Sequence, residues 1–433
     1  MKKVMVFLVI VLAMVLVSAV SAQPSTYDSG FQVANLSGSD ANIVISYVNK
    51  DGSTDATVNG TIPANGSVTY FPIGASAGFD GSVVISSNQP VAAIANVLGD
   101  GFAFGASYES FDSGASSVSL PLIMKDNFGF DTWFNVQNAS APGGADVDVT
   151  VSFAGQSCDK TETIPAGAAF TFDQGADSCL PAGYVGAATI SATGDIVATV
   201  MQTGPATLFA YNGFTGGSSS PIMPLVQANN FGFSTGIQIQ NTGGSSTDVT
   251  VSYAAGSAGA DCTEMKTIAA GASETFALGS TCTALGGPQF VGGASVTANS
   301  ASQDLVAIVN QLNFTSNDKG AAYNAFAPSA ATGSVNFPLI MQDNFGFFTG
   351  FNVYNAGGSD ADVTCTFSAG ANKPADITTT IAPATAYTAV QLGSGQYVGS
   401  VTCTAAGGSL VGVANELGSG AGDNFFAYGG FNQ

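Results

Sequence analysis

The reactive side chains of this 433-residue chain are limited in kind. It has no His and no Arg, so its eight basic residues are all Lys, against 29 Asp and Glu. Because His is the commonest general base and the commonest metal ligand, Ser-His-Asp triads, Cys-His pairs and most zinc sites are excluded. The sequence has five Glu, and no pair of them stands out for glycosidase chemistry. We therefore predict a protein that is not an enzyme and uses no cofactor or metal.

The six Cys are the groups with the most definite chemistry. The repeat boundaries and an exported context favour three disulfides, which are Cys158/Cys179, Cys262/Cys282 and Cys365/Cys403. The first two pairs are expected to staple loops, whereas the third is expected to bridge strands inside a core. A metal or redox site is the alternative, but it lacks both His and a CxxC spacing.

Two further kinds of side chain could bind a ligand. Asp148, Asp248 and Asp362 each precede a strand-like stretch, which suggests either calcium or, more commonly, a solvent-exposed Asp that opens a strand. Trp133, the one Trp of the chain, is predicted to point outward beside Asn135 and Gln137. Because sugar sites use exposed aromatic faces beside amides, Trp133 is a candidate ligand contact.

These groups belong to a tandem repeat. The phrase Pro-Leu-x-x-x-x-Asn-Phe-Gly-Phe occurs at residues 121–130, 224–233 and 338–347. Each copy runs into a strand-like stretch that ends in Asn, and a fourth such stretch, ending at Asn35, lacks the phrase. We predict that the paired aromatic residues of the phrase form the joint between neighbouring units: Phe128, Phe130, Phe231, Phe233, Phe345 and Phe347.

Apolar residues alternate with a period of two through each unit, which indicates half-buried strands. An aromatic-led strand (residues 79–85, 184–190, 290–296 and 397–403) is expected to pair with the apolar strand that follows it. About seven short strands per roughly 100 residues are typical of an immunoglobulin-like sandwich. We therefore predict an all-β fold, a tandem array of four immunoglobulin-like β-sandwich domains, at residues 23–116, 117–219, 220–333 and 334–433. A single closed barrel or a propeller is the alternative, although the repeat is long for a propeller blade.

The first 22 residues are predicted to be a signal peptide. Lys2 and Lys3 precede a continuous apolar run, and Val20-Ser21-Ala22 supplies small residues before a cleavage site. No later stretch is apolar for long enough to cross a bilayer, so no membrane insertion is expected after cleavage. The remaining chain carries six Lys and 29 carboxyl side chains, a net charge of −23. This charge argues against binding to nucleic acid and to anionic membranes.

Several motifs together resemble a known repeat. The phrase at residues 121–130, Phe-Asn-Val-Gln-Asn at 134–138, Val-Thr-Val-Ser-Phe at 149–153 and Ile-Pro-Ala-Gly at 164–167 are similar to repeats of secreted surface proteins from filamentous Chloroflexota-type bacteria. Those proteins commonly have Arg before the Asn and Trp in place of the last Phe of the phrase, and this chain has neither. The resemblance covers units 2 to 4, and unit 1 from Gly30. It implies an extracellular β-sandwich array at the cell surface and brings no catalytic residues.

Composition, export and repeats favour a structural function. We expect a secreted, cell-surface subunit of a filament, sheath or surface layer that associates with itself. The alternative is a secreted adhesin or carbohydrate-binding protein with cell-surface glycans as partners.

The repeat count adds a more specific expectation. Three Pro-Leu phrases serve four units, so either unit 1 lacks a leading strand or unit 4 lacks a following one. We predict that the incomplete end is a contact between subunits. Residues 23–29 are short and polar, so no spare donor strand is evident, and head-to-tail packing without strand exchange is an equal alternative.

Overall fold

The computed structural model describes residues 24–101, 103–278, 282, 287–300, 303–316 and 318–432. The predicted signal peptide therefore lies outside the described residues. The fold is all-β, with separate antiparallel sheets that pack as β-sandwiches, as the alternation predicts. No helix in the described ranges is both long and apolar enough to cross a membrane.

The strands follow the four sequence units. Unit 1 contains β1 (Tyr27–Asn35), β2 (Ala41–Asn49), β3 (Thr54–Ile62), β4 (Ser67–Tyr70), β5 (Gly81–Ser87), β6 (Val91–Gly99) and β7 (Phe104–Glu109). Unit 2 contains β8 (Ala115–Lys125), β9 (Asp131–Asn138), β10 (Val147–Phe153), β11 (Lys160–Ile164), β12 (Ala169–Asp173), β13 (Tyr184–Thr203) and β14 (Leu208–Asn212). Unit 3 contains β15 (Ile222–Ala228), β16 (Phe233–Asn241), β17 (Thr247–Ala258), β18 (Cys262–Ile268), β19 (Ser273–Ala277), β20 (Phe290–Ala298), β21 (Leu305–Asn313) and β22 (Gly320–Asn324). A short 3-10 helix (Pro328–Ala330) precedes unit 4, which contains β23 (Ser334–Gln342), β24 (Phe347–Asn355), β25 (Ala361–Phe367), β26 (Ile377–Ile381), β27 (Ala386–Val390), β28 (Tyr397–Thr404), β29 (Leu410–Gly418), β30 (Phe425–Gly429) and β31 (Phe431–Asn432).

Units 1, 3 and 4 divide their strands between two sheets, and in unit 2 the long strand β13 joins the two layers into one seven-stranded sheet. Unit 3 shows the pattern most clearly, with the orders β15-β20-β17-β18 and β19-β16-β21-β22. Unit 4 repeats it, with β31 added beside β23, and in unit 2 the long strand β13 passes from one layer into the other. Unit 1 has the four-stranded sheet β4-β1-β6-β7 but only three strands, β3-β2-β5, in the other. Within the described ranges, unit 1 therefore lacks the leading strand that β8, β15 and β23 supply elsewhere.

The predicted pairing of each aromatic-led strand with the following apolar strand is wrong. In unit 3, β20 pairs with β15 and β17, whereas β21 pairs with β16 and β22. The chain changes sheets between β20 and β21. A period of two specifies which side chains face the core but not which neighbour supplies the hydrogen bonds, so the pattern was compatible with either pairing.

The alternating side chains build the core as expected. In β10, Val149, Val151 and Phe153 are buried, whereas the intervening Thr150 and Ser152 are not. The equivalent apolar positions of the other units lie in three comparable clusters. Burial of these side chains from both sheets therefore supplies the main stabilisation of each sandwich.

An Asn that ends β1, β9, β16 or β24 organises the loops around it in each unit. The Asn241 side chain donates to the carbonyl oxygens of Ser245 and Ile268, at 2.8 and 3.0 Å, and accepts from the backbone of Gly243 at 3.0 Å. Asn35, Asn138 and Asn355 bond in the same pattern. All four side chains are buried, and each satisfies the carbonyl oxygen of a buried isoleucine: Ile62, Ile164, Ile268 or Ile381.

The Pro-Leu part of the repeated phrase is a β-bulge held by a tyrosine. In unit 2, Leu120 pairs with Ala188 and Ile123 pairs with Gly186, so two residues of β8 face one of β13. The Leu122 N–H donates to the Tyr211 hydroxyl at 3.2 Å, and this hydroxyl donates to the Leu122 carbonyl at 2.7 Å. Tyr323 and Tyr428 hold the equivalent Leu225 and Leu339. In units 2 to 4 the Pro-Leu phrase and the tyrosine of the last long strand are therefore two halves of one contact.

We expect Asn241→Ala to lower the free energy of unfolding by about 2 kcal/mol, because it leaves the buried Ile268 carbonyl oxygen without this partner and releases the loop at Gly243 and Ser245. Urea denaturation followed by far-ultraviolet circular dichroism measures the change. The matched control is Asn59→Ala, at an exposed position of β3. Equal midpoints for the two variants would contradict the proposed bracing by Asn241.

Candidate functional site

The four units pack around one central contact between their closing strands. Strand β7 packs against β14, β14 against β22, β22 against β30, and β30 against β7. Ser107 of unit 1 donates to the Ala427 carbonyl of unit 4 at 2.8 Å. Units 1 and 4 are therefore neighbours, and the chain closes into a ring rather than extending as a string.

Asp423 joins all four units at one end of this ring. Its carboxylate accepts from the backbone N–H groups of Leu208 and Gly320, at 2.6 and 2.8 Å, and its own N–H donates to the Ala103 carbonyl at 2.8 Å. Lys319 reaches the same loop and donates to two of its carbonyl oxygens. Burial raises the pKa of the Asp423 carboxyl well above its usual value, although the two N–H donors and Lys319 oppose this shift. These contacts fix the turns of four different units at one point.

Amide pairs connect the units beside this centre. Gln202 and Asn310 exchange two hydrogen bonds of 3.1 and 2.7 Å between units 2 and 3. Gln311 and Asn415 do the same between units 3 and 4, at 3.0 and 2.9 Å. Reciprocal amide pairs of this kind satisfy two buried polar groups at once.

The two other junctions carry different residues at these positions. Val97 and Met201 lie in one apolar cluster between units 1 and 2. Between units 4 and 1, Glu416 and Asn96 occupy the strand positions that the Gln and the Asn of the amide pairs occupy at the other junctions. Both Glu416 carboxylate oxygens and the Asn96 amide oxygen are buried without a hydrogen-bond partner among the described residues. Burial raises the pKa of Glu416 to about 8.

A small cavity lies at the opposite end of the closing strands. Its volume is about 150 Å³, and Glu109, Asn212 and Asn324 line it together with Gly429. The Glu109 carboxylate accepts from the backbone N–H of Gly429, and the Asn212 amide oxygen is buried with no partner in the described part of the chain. This space could hold a water molecule or another small donor.

The prediction that all six Phe of the repeated phrase form the joint between units is wrong for three of them. Phe128, Phe231 and Phe345 are 95%, 90% and 90% exposed. Reciprocal backbone bonds between Asn127 and Phe130 close a two-residue hairpin, which places Phe128 at its tip. The turn reverses the chain between the two Phe, so they do not point to one side as a continuous strand would make them.

The second Phe of each phrase is partly buried and packs on a closing strand. Phe233 of unit 3 contacts Phe425 of unit 4, with ring centroids 5.0 Å apart. Phe130 and Phe347 instead contact aromatic rings of their own units, Phe209 and Phe426. Among the described aromatic contacts of these three residues, the one between units is therefore that of Phe233, and the contacts of Phe130 and Phe347 do not support the predicted joint.

The turn tips have an unusual backbone conformation. Phe128, Phe231 and Phe345 each have φ of 51°, and the Gly that follows has φ between 83° and 89°. Positive φ at both central residues is typical of type I′ hairpins, which favour Asn-Gly over a bulky first residue. Three copies keep an exposed Phe where the backbone disfavours it, which is a pattern associated with function.

The three predicted disulfides form, but only one of the two expected loop staples joins two loops. Cys158, which is buried, and Cys179, which is exposed, lie in the loops before β11 and before β13, as predicted. Cys262 instead is the first residue of β18, and it is bonded to the partly buried Cys282 in the turn after β19. The prediction for Cys262/Cys282 was wrong in this detail because β17 and β18 form a longer hairpin than the equivalent strands of unit 2.

The third disulfide has the predicted place. Cys365 of β25 and Cys403 of β28 are directly paired in register, and both are fully buried in the core of unit 4. None of the six Cys is free to bind a metal or to react as a thiol. The Cys pairs are therefore structural groups rather than a site.

The remaining candidate residues also have definite places. Trp133 is partly buried at the junction of units 1 and 2, where its ring lies edge-on to the Tyr27 ring with centroids 5.7 Å apart. The side chain is therefore only partly accessible to solvent, whereas the sequence predicted that it points outward. Asp148, Asp248 and Asp362 each accept a hydrogen bond from a threonine hydroxyl of the adjacent strand. The described residues contain no cluster of three or more His, Cys, Asp or Glu that could hold a metal ion.

Sequence reasoning did not identify Asp423 or Glu416. Asp423 lies in a glycine-rich turn with no distinguishing pattern, so the sequence carried no sign of its contacts. Glu416 had a detectable signal, because alignment of the units places it where units 2 and 3 have Gln202 and Gln311.

The ionisation of Glu416 makes stability depend on pH. Its folded pKa of about 8 exceeds its ordinary value of 4.5, so the folded chain holds this proton more tightly than the unfolded chain does. The contribution of Glu416 to stability is therefore fully present below the ordinary value and is lost as pH rises towards about 8, by roughly 4 kcal/mol. We expect Glu416→Gln to unfold at a higher temperature than the wild type at pH 8 and to show less pH dependence.

Thermal unfolding at pH 5 and pH 8 measures this difference. Asp423 contributes in the same direction, so some pH dependence is expected to remain in the variant. The control is Glu274→Gln, whose side chain is 47% exposed. If Glu416→Gln tracked the wild type at both values of pH, the assignment to Glu416 would be wrong.

Comparison with known proteins identifies no family. No family model and no curated protein matches the sequence. Among solved structures, one similarity is to the vicilin of hazelnut (Corylus avellana). The match covers 54% of this chain and 78% of the vicilin chain, with 6% sequence identity and a TM-score of 0.17.

Proposed function

We propose that this protein is a non-catalytic structural subunit of an extracellular filament, sheath or surface layer. In this proposal the four units are immunoglobulin-like domains of a secreted, cell-surface protein. The three disulfides are compatible with an extracellular location. The single observation that carries the proposal is the open sheet edge of unit 1.

That edge has the properties of an assembly contact. Among the described strands, β5 pairs with β2 alone, so its other side presents unpaired backbone groups. Soluble proteins usually protect such an edge with Lys, Pro or a bulge. The β5 sequence Gly-Ser-Val-Val-Ile-Ser-Ser contains no charged residue and no Pro. An uncharged edge rich in β-branched residues favours the addition of another strand.

The closed ring limits how subunits could join. Because units 1 and 4 already contact each other, a head-to-tail polymer cannot use those two surfaces as free ends. The incomplete unit remains the place where the ring is open to a neighbour. The net charge of the mature chain would keep free subunits apart at low ionic strength.

We expect ordered polymers containing this chain in cell-surface material examined by negative-stain electron microscopy. Ser86→Lys is expected to reduce assembly, because a charged side chain on an open edge opposes strand addition. Thr57→Lys, at an exposed position of β3, is the matched control. Cell-surface material without an ordered polymer, or undiminished assembly of Ser86→Lys, would count against the proposal.

A secreted adhesin or carbohydrate-binding protein is the second candidate. The observation in its favour is the set of exposed rings at the turn tips, which lie beside amide side chains. Next to Phe345, the Gln396 amide donates to the Asn344 amide oxygen at 2.6 Å. Gln289 and Asn230 do the same next to Phe231, also at 2.6 Å. Trp133, covered on one side by Tyr27, is the other aromatic candidate.

We expect a glycan-binding chain to lose at least about tenfold in affinity when Phe128, Phe231 and Phe345 are all changed to Ser, because each ring supplies apolar contact area. A glycan array with the wild type and the triple variant measures this. Trp133→Ala tests the second aromatic site separately. An array without a wild-type signal would eliminate this candidate.

A further inference from the structure

Among its described residues, unit 1 has no leading strand, which leaves an open slot between β5 and the segment that follows β7. The leading strands of the three other units show what kind of segment would fill it. We propose that unit 1 binds an extended segment of the form apolar-x-apolar-Pro-Leu, supplied by a neighbouring polypeptide in the assembly. This inference makes the proposed function more specific. It depends on the proposed function only in assigning the segment to a neighbouring polypeptide of the assembly. Binding of the segment itself can be tested on the isolated chain.

The first wall of the slot is the open edge of β5, where the core of unit 1 is uncovered. Val83 and Ile85 point towards that core, because they pair with Tyr47 and Ile45. Both are only partly buried. The positions equivalent to Ile85 are fully buried in their units: Ile190, Val296 and Cys403. A leading strand is the element that covers these positions elsewhere.

The second wall is the closing strand of unit 1, where a tyrosine lacks its usual partner. Tyr211, Tyr323 and Tyr428 each bond the peptide groups of the Leu in a Pro-Leu bulge. Tyr108 occupies the same place in β7, and its hydroxyl has no hydrogen-bond partner among the described residues. The slot therefore retains the group that recognises the bulge.

The backbone that follows the closing strand of unit 1 also lacks the strand partner that it has in the other units. Phe214 and Phe326 exchange backbone bonds with the leading strands of their units, and Phe431 pairs with Asn336. Phe111 is the equivalent residue of unit 1, and no strand of the described chain pairs with it. An entering strand would thus find unpaired backbone on both sides, at β5 and at Phe111.

The neighbouring unit supplies the third wall. At three junctions, the leading strand of one unit packs against two strands of the next. There Ile308, Val413 and Ile94 reach into the core of the preceding unit. Thr199 has the equivalent place in unit 2 and is only partly buried, because the described part of unit 1 offers no leading strand to meet it.

The sequence preference follows from the strands that fill the equivalent slots. Val118 and Leu120 of β8 are buried beside β13, and Pro121-Leu122 forms the bulge. Val335 and Phe337 are buried in the same way in β23, before its own Pro-Leu. A strand that presents two apolar residues before Pro-Leu would therefore match both the core and Tyr108.

The test uses a fluorescent peptide with the sequence of residues 115–125, Ala-Ser-Ser-Val-Ser-Leu-Pro-Leu-Ile-Met-Lys, and the folded chain of residues 23–433. We expect saturable binding at one peptide per chain by fluorescence anisotropy, with slowed amide exchange at residues 82–86. A control peptide with Val118→Ser and Leu120→Ser is expected to bind at least about tenfold more weakly, because it loses the buried apolar contacts.

Tyr108→Phe distinguishes specific recognition of the Pro-Leu bulge from non-specific apolar binding, because it removes only the hydroxyl group. We expect it to weaken peptide binding about fivefold, the effect of one hydrogen bond. The matched control is Tyr387→Phe in unit 4, which should bind as the wild type does. No saturable binding, or equal affinity of both peptides, would overturn the inference. A chain that binds the peptide but never forms polymers would support the slot and refute the structural function.

Discussion

The architecture depends on one hydroxyl group in each of units 2 to 4. A Pro-Leu bulge removes two residues from the regular ladder and leaves a peptide N–H and C=O inside the protein without strand partners. The tyrosine of the closing strand bonds both groups, because a phenol can donate and accept at the same time. This bond ties the edge of one sheet to the edge of the other. It also places three of the four closing strands that form the centre of the ring, β14, β22 and β30.

The ring is repeated in geometry but not in chemistry. Two junctions use reciprocal Gln–Asn pairs, one uses Val97 and Met201, and one places Glu416 opposite the position of Asn96. Four identical junctions would leave the order of units undefined, because each face would fit every other. Different side chains at equivalent places distinguish the junctions on either side of unit 1 from each other and from the two Gln–Asn junctions, as polar residues do in other repeated assemblies.

The sequence predicted the class of fold and the disulfide pairs because those depend on local pattern. Alternation identified the buried faces of strands such as β10. The repeat boundaries, which leave two Cys in each of units 2 to 4, identified the disulfide pairs, although not that Cys262 would begin a strand. Partner choice was not predictable, since β20 and β21 are adjacent in sequence yet belong to different sheets. The role of Phe128 was misjudged because the positive φ of its turn reverses the chain, and spacing alone does not show that reversal. Asp423 was missed because its partners lie in other units, far away in the sequence.

The position of Asp423 in the last unit has a consequence for the order of events in biosynthesis. Its partners, Ala103, Leu208 and Gly320, all precede it in the chain. A chain that leaves the ribosome from its amino end therefore contains all three partner residues before the residue that joins them. The ring closes only when the final loop arrives, and so does the core of unit 3, because that core includes Val413 and Phe425 of unit 4. A product truncated before residue 410 would lack both.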